Sequence, residues 1–490
     1  MDDLKLYGKS ERELDNLVQT VRIFSEDINL TFGLGKCAKT VLKRGKLSTP
    51  TEEIKVPEGT IKNLEIGDAY KYLGIEENAD LDHSRMKEKV KKEYLKRVRK
   101  ILSTKLYGGN MIRAINTYAV PVIRYSAGIV EWTKVEQQNL DRKTRKLLTL
   151  HGALHPRSDV DRLYIPRDEG GRGLTNIEDM VEQEKLTLRD YIEHKKDKLI
   201  EAVQQSGEHK RKIATEATAA EYKKVKHRER YNGWKEKALH GHYLQTLPQE
   251  TDPVQTFSWL AKGKLKLSTE ALLVAAQDQA LNTKAHAKNI LKNTRDGQCR
   301  LCGQHEETVS HIVAGCPILA NAKYMERHNE VAKKVHWSLC KKYNIETTQQ
   351  WWKHKPDDVT ENDEVKILWD FSIRTDNKIQ ANKPDLVVVD KANKTLLIID
   401  VACPLDINIG NKERDKILKY QDLKTELQRL WKLKGKVVPV VIGALGAVTK
   451  HHKKHVQSIH DTISTEDLQK VTLLETSKIL REVLSLPDSR

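Results

Sequence analysis

Two groups of residues in this chain have the types and spacing that chemistry needs. The first lies in the stretch KPDLVVVDKANKTLLIIDVACPLDINIGNKERDKILKY, residues 383–420. Asp385 and Asp400 are separated by fourteen residues, and each sits at the edge of a short β-branched run, 386–389 and 395–399. Two such runs around a polar turn at 390–394 predict a strand pair. Carboxylates at adjacent strand ends can share a hard divalent cation through oxygen. A polar loop containing Gly410 and Asn411 then leads to an expected helix with Ile417, Tyr420, Leu423, Leu427 and Leu430 on one stripe. Lys416 falls almost in line with Leu423, so it points back toward the sheet. A lysine there can orient an attacking water or offset charge on a cleaved phosphodiester. The plainer alternative is a βαβ unit whose aspartates merely end strands.

The second group is CRLCGQHEETVSHIVAGC, that is Cys299-x2-Cys302-x8-His311-x4-Cys316. Four soft or borderline ligands in eighteen residues suit a closed tetrahedral zinc site. Gly303 lets the knuckle turn, and 311–313 is expected to open a short helix that returns Cys316. A redox Cys-x-x-Cys pair would leave His311 and Cys316 unexplained. His305 is a further candidate ligand whose position fits the pattern less well. Arg300, Lys323, Arg327 and His328 flank the cluster and are expected to face nucleic acid. Cys37, Cys340 and Cys403 read as isolated, so six cysteines describe a metal site and not a disulfide framework.

These groups need several compact units to position them, since 490 residues exceed a single core. Charged residues make up 32% of the chain, and 86 Lys+Arg against 69 Asp+Glu give a net charge of +17. An excess spread along the whole length favours a polyanionic partner. No apolar run approaches the ~20 residues of a membrane span, and MDDLKLYGKS lacks the apolar core of a signal peptide.

In chain order, Met1-Asp2-Asp3 precedes a helical pattern with Leu14, Leu17, Val21 and Phe24, the segment INLTFGLGKCAKTVLKRG, and an apolar segment at 69–75. Residues 85–105 carry ten basic and two acidic side chains around an apolar face of Met86, Val90, Tyr94, Val98 and Ile101. That pattern predicts a helix whose solvent side is basic, with Lys96, Arg97, Arg99 and Lys100 available to phosphates. Gly170, Gly171 and Gly173 set a tight turn in HGALHPRSDVDRLYIPRDEGGRGL without phosphate-loop spacing. Residues 175–295 are charged and helical. Farther on, Ile367, Trp369 and Phe371 alternate as a strand would, and 436–447 predicts another strand, with Pro439 placing it at an edge or bulge.

The order PD, I-D-V-x-x-P, K-x-x-K-Y resembles the restriction-like endonuclease, PD-(D/E)xK in type, of site-specific non-LTR retrotransposons. It is met here by Pro384-Asp385, Ile399 to Pro404, and Lys416-Ile417-Leu418-Lys419-Tyr420. In the short form of the motif lysine would stand at position 402, which is Ala402; in these elements it comes from the following helix. The long interval before His311 is similar to their Cys-Cys-His-Cys element. Met1-Asp2-Asp3, Lys36-Cys37 and Tyr72-Leu73-Gly74 resemble, in order, the catalytic hairpin, the motif D lysine and the primer-end segment of their reverse transcriptase palm.

The resemblance implies a multidomain α+β protein divided as follows: a truncated reverse transcriptase palm (1–78), a helical thumb-like region (79–165), a helical basic connector (166–295), a small zinc knuckle (296–345) and a C-terminal α/β restriction-like nuclease core (346–490). It implies a chain that starts inside the palm and does not polymerise alone. A metal-dependent DNA endonuclease is expected, nicking target DNA for target-primed reverse transcription of element RNA in the nucleus. Asp385 and Asp400 would hold catalytic Mg2+, with Lys416 at the phosphate and Lys419 and Tyr420 in support. Asp2 and Asp3 would be polymerase aspartates, zinc would be structural, and Lys36 would contact nucleic acid. Asp370, Asp376 and Glu364 remain open as a supporting acid. The rival is a catalytically inactive nucleic-acid-binding remnant.

Overall fold

The computed structural model describes residues 4–65, 67–77, 81–206 and 216–487. Asp2 and Asp3 lie outside the described residues. The chain is mixed α+β and forms two compact units. One gathers Met1–Arg97, Tyr118–Asp141 and Ile177–Ala219; the other gathers Val98–Thr117, Arg142–Asn176 and Ala220–Arg490.

In the first unit, helix Glu11–Asp27 is capped by Ser10, whose side chain accepts from the Glu13 N–H. Its buried face centres on Val18 with Leu14 half-buried, whereas Phe24, expected on that face, is 64% exposed. Val18 packs with Ile54, Val56 and Ile61 over a set of two-residue and three-residue strands. The apolar segment at 69–75 becomes the hairpin Tyr70–Tyr72 and Ile75–Glu77. Leu73 and Gly74 both take positive φ (47° and 83°), as a two-residue primed turn demands. The basic run forms helix His83–Leu102, and Met86, Val90, Tyr94 and Val98 are buried along it as the spacing predicts.

The second unit is built on a five-stranded sheet. Helix α1 (Met325–Lys342) leads into β1 (Val359–Glu361), β2 (Val365–Trp369), β3 (Leu386–Asp390) and β4 (Thr395–Ala402). Then come α2 (Ile409–Lys419), α3 (Gln421–Trp431), β5 (Lys434–Val441), α4 (His452–Ile459) and α5 (Thr465–Val483). The spatial order is β5-β4-β3-β2-β1; β1 to β4 pair antiparallel and β5 lies parallel to β4. The crossover from β4 to β5 runs through α2 and α3, as a parallel pair requires. Pro439 stands opposite Asp400 on the edge strand, where its missing N–H costs no inner ladder bond.

Side chains alternate across the sheet. Val365, Ile367, Leu386, Val388, Ile399, Val401, Val438 and Val440 share a core with Val331, Val335 and Leu339 of α1 and with Leu468 and Val471 of α5. Val387, Leu396, Ile398 and Val437 face Tyr420, Leu423 and Leu427 on the other side. Three expectations are corrected here. Gly410 and Asn411 belong to α2 and not to a loop, because a short turn at Asp406–Asn408 already reverses the chain. The expected single helix breaks at Tyr420, whose ψ of 14° is not helical. The strand at β2 ends at Trp369, since Asp370 adopts φ +45°, and Phe371 is 41% exposed.

The glycine-rich segment at 151–174 is scaffold. Gly170 and Gly173 hold positive φ (91° and 74°). Buried Arg162 meets Asp278 at 2.6 Å, and Arg172 meets Glu270 at 2.7 Å. No helix among the described residues is long and apolar enough to cross a membrane.

Candidate functional site

The β3–β4 register pairs Leu386 with Ile399, so one step outward Asp385 lies directly across from Asp400. Asp400 falls on the sheet face covered by α2 and α3, the face of Ile398, while the carboxylate of Asp385, just before β3, is reached by α1. Opposed carboxylates repel, and three contacts answer that repulsion. Lys416 of α2 is ion-paired through Nζ to Asp400 Oδ2, so it does point toward the sheet, although it and Leu423 lie on separate helices. His328 of α1 places Nε2 3.0 Å from Asp385 Oδ2. The Val401 N–H donates to that same Oδ2 at 2.6 Å. Tyr420 hydroxyl donates to the Lys383 carbonyl at 3.1 Å, tying α2 to the loop that delivers Asp385.

The two acids therefore titrate in opposite directions. Burial pushes both up, but at Asp385 the His328 hydrogen bond and charge, with the Val401 N–H and Lys416, bring the net value below the usual range. At Asp400 burial and then the neighbouring Asp385 charge dominate over Lys416, and the value is raised. Burial lowers His328, yet the hydrogen bond and charge of Asp385 outweigh it and raise the imidazole. A histidine whose folded value is raised contributes stability fully below about pH 6.5 and loses it as pH rises through the folded value. His328→Ala is therefore expected to lower the melting temperature relative to the parent at pH 6 and to match it more closely at pH 9. An equal deficit at both values would show that the pair carries no protonation-linked stability.

Among the open candidates for a third acid, Asp370 is placed in the same row. The β2–β3 register pairs Trp369 with Leu386, and the Asp370 N–H donates to the Asp385 carbonyl at 2.9 Å. Its carboxylate turns outward to Lys383 at 2.8 Å. Asp376 instead pairs with Arg429 at 2.7 Å, and Glu364 lies just before β2, at the end remote from Asp370. Lys419 is held over the Tyr420 ring, 4.7 Å from its centroid, and no ion pair joins it to either carboxylate.

The cysteine cluster also assembles. Cys299, Cys302, His311 and Cys316 present ligand atoms within 4.8 Å of one another, an arrangement able to hold a metal ion such as zinc. Cys299 Sγ and Cys316 Sγ are 4.0 Å apart, and Cys302 Sγ and His311 Nε2 are 3.4 Å apart. Tetrahedral edges built on Zn–S of ~2.3 Å and Zn–N of ~2.1 Å are roughly 3.6–3.8 Å. Gly303 takes φ +65° and donates its N–H to the Cys299 carbonyl at 2.9 Å, which closes the knuckle. The backbone N–H groups of Gln304 and His305 lower the Cys302 thiol, while burial raises that of Cys316. His305 contributes its carbonyl to the Cys299 N–H at 2.7 Å and its ring is not part of the four-ligand set.

The basic residues around this cluster do not form the free surface expected of them. Arg300 is chelated by Glu307 at 2.8 Å, Lys323 pairs with Glu482 at 2.7 Å, and Arg327 is buried against Thr476 and the Cys403 carbonyl. His328 serves Asp385, a role invisible in sequence because 57 residues separate them. By contrast, Lys36, Lys96, Arg97, Arg99 and Lys100 are all exposed. Glu93 takes up Arg97 at 2.8 Å, while Arg99 and Lys100 have no acidic partner within ion-pair distance among the described residues. Cys340 does not stand alone: its Sγ lies 3.5 Å from His336 Nδ1. Comparison with known proteins finds no family model that matches the chain and no curated protein that matches it.

Proposed function

We propose that the chain is a retrotransposon-derived, metal-dependent DNA endonuclease of PD-(D/E)xK type that also binds RNA and DNA. The observation that carries this reading is the pair Asp385, half-buried, and Asp400, buried, set across from each other at one end of β3 and β4 with Lys416 ion-paired to Asp400. Two carboxylates left face to face at a strand end fit a hard divalent cation, which relieves their repulsion. Asp385 and Asp400 would hold Mg2+, and such an ion would polarise a phosphoryl oxygen and ease water deprotonation. The hydrolysis joins water oxygen to phosphorus, breaks the P–O3′ bond and leaves a 3′-hydroxyl and a 5′-phosphate. Lys416 would balance negative charge gathering on the phosphoryl oxygens. His328 and the Val401 N–H fix Asp385, and Tyr420 fixes α2 against the preceding loop.

Binding is supported by the net charge of +17 and by the exposed basic side of helix His83–Leu102. In this reading the Cys-Cys-His-Cys cluster holds structural zinc, the N-terminal part is a partial RNA-directed DNA polymerase domain, and the protein acts in the nucleus. The test is incubation of the full chain with supercoiled plasmid and Mg2+, with EDTA as control and a mobility-shift assay in parallel. Conversion to open circles with Mg2+ alone is expected. Binding without conversion would replace the nuclease with a nucleic-acid-binding remnant.

A further inference from the structure

A second group of metal-type ligands lies in the same unit, away from the four-ligand knuckle. His336 and Cys340 are four residues apart on α1 and therefore on one helix face. His354 comes from the segment between α1 and β1, just after the turn Trp351–Lys353. All three side chains are buried: His336 and Cys340 are each 1% exposed and His354 is 8% exposed. Their ligand atoms lie within 4.8 Å of one another.

We propose that His336, Cys340 and His354 form a second metal site for a borderline divalent ion of the zinc type, distinct from the Cys299–Cys316 knuckle. The donors converge: His336 Nδ1 is 2.8 Å from His354 Nε2 and 3.5 Å from Cys340 Sγ. Around a tetrahedral ion with bonds of ~2.0–2.1 Å the two nitrogens would stand roughly 3.3 Å apart, so the rings need open only by about 0.5 Å. The remaining nitrogen of His354, Nδ1, is 2.9 Å from the Thr347 hydroxyl. That is the outer contact that fixes the tautomer of a ligating histidine and aims Nε2 at the ion.

Without an ion the group is a poor hydrogen-bonding solution. One proton at most can lie between the two ring nitrogens. Whichever ring donates it, His336 Nε2 stays buried with no hydrogen-bond partner. The two rings are stacked with centroids 5.0 Å apart, and His336 meets Trp369 edge-on, so apolar walls close the site. Imidazole and thiolate together select zinc-like ions over Mg2+ or Ca2+, which take oxygen. Three protein ligands leave a fourth position for water.

The ion would tie the C-terminal half of α1 to the segment before β1. His328 sits eight residues earlier on α1, about 12 Å along its axis. A link of that kind would bear on how Asp385 is held, a consequence that rests on the nuclease reading; the metal site itself does not.

The test is zinc content of the intact chain, purified under reducing conditions without chelator, together with Co2+ titration followed by absorption. Two equivalents per chain are expected, one with the strong thiolate-to-cobalt bands of three cysteines and one with the weaker band of a single cysteine. His354→Asn should lose one equivalent and keep the three-thiolate band, which also reports that the rest of the unit is folded. Thr347→Val should keep both ions but weaken the second by ~10-fold to 100-fold. A single equivalent in the intact chain, or two in His354→Asn, would overturn the proposal. If nicking fails while two equivalents are measured, the nuclease reading falls and the second metal site stands.

Discussion

Asp400→Asn and Asp385→Asn are each expected to reduce Mg2+-dependent nicking by ~10³ or more, and Lys416→Ala by ~10²–10³. Both aspartates are needed because each supplies oxygen from one of two adjacent strands, and one alone holds a hard cation poorly. Asparagine preserves shape, so the packing around Asp400, 1% exposed, survives the change. In the apo protein Asp400→Asn should even be stabilising at neutral pH. The folded Asp400 value is raised, so its contribution is fully present below about pH 3.9 and lost as pH rises through the folded value. The neutral amide avoids that loss. Lys416 lies beside Asp400 without being a ligand, so its loss should spare Mg2+ affinity and lower the rate. Plasmid nicking, mobility shift and a melting curve on the same three preparations separate these effects. Parent-like nicking by Asp385→Asn would remove the catalytic reading altogether.

The second large effect is expected at the knuckle. Stripping zinc, or replacing Cys302 with serine, should melt more than a local loop. Cys299, Val309, Ile312, Val313 and Cys316 share one buried cluster with Trp234, Trp259, Leu273, Leu445 and Leu480. The four-ligand cluster thus stands within the core that joins residues 234–281 to the C-terminal helix α5. Structural zinc contributes on the order of 10 kcal/mol to the folding of small zinc peptides. A core organised around such a site should lose cooperative unfolding once the ion is gone. Thermal melts with and without a chelator, beside metal analysis of Cys302→Ser, check this. Equal zinc in Cys302→Ser and parent would sink the ligand assignment, and an unchanged melt after full zinc removal would sink the structural role.

Much of the candidate site was legible in the chain because its signals are local. The runs 386–389 and 395–399 are β-branched and divided by a short polar turn, so they could hardly pair in any other way than as β3 and β4. That pairing fixes Asp385 across from Asp400 by register alone. Lys416 reaches the sheet at Asp400 from α2, although the single helix expected to align it with Leu423 breaks at Tyr420. The four knuckle ligands lie within eighteen residues, and Gly303 is the residue that lets them turn. Pro439 left an edge or a bulge open for β5, and the sheet order makes it an edge strand.

Other features were decided by tertiary structure. His328 read as one more basic residue beside the knuckle until the folding of α1 against the sheet set it on Asp385. Arg300, Lys323 and Arg327 carry the charge expected of a nucleic-acid surface, yet Glu307, Glu482 and a buried helix contact take them up. Cys340 gained its neighbours the same way. His336 lies four residues away on the same helix, but His354 approaches only after the chain has turned back toward β1. Asp370 was set in the row of acids by the β2–β3 register, and its left-handed backbone then turned the carboxylate out to Lys383. Spacing along the chain determines strand register, helix faces and compact metal knuckles, because each depends on the geometry of a few consecutive residues. Which distant side chain neutralises a given buried charge depends on how helices and sheet pack, and no local pattern encodes that.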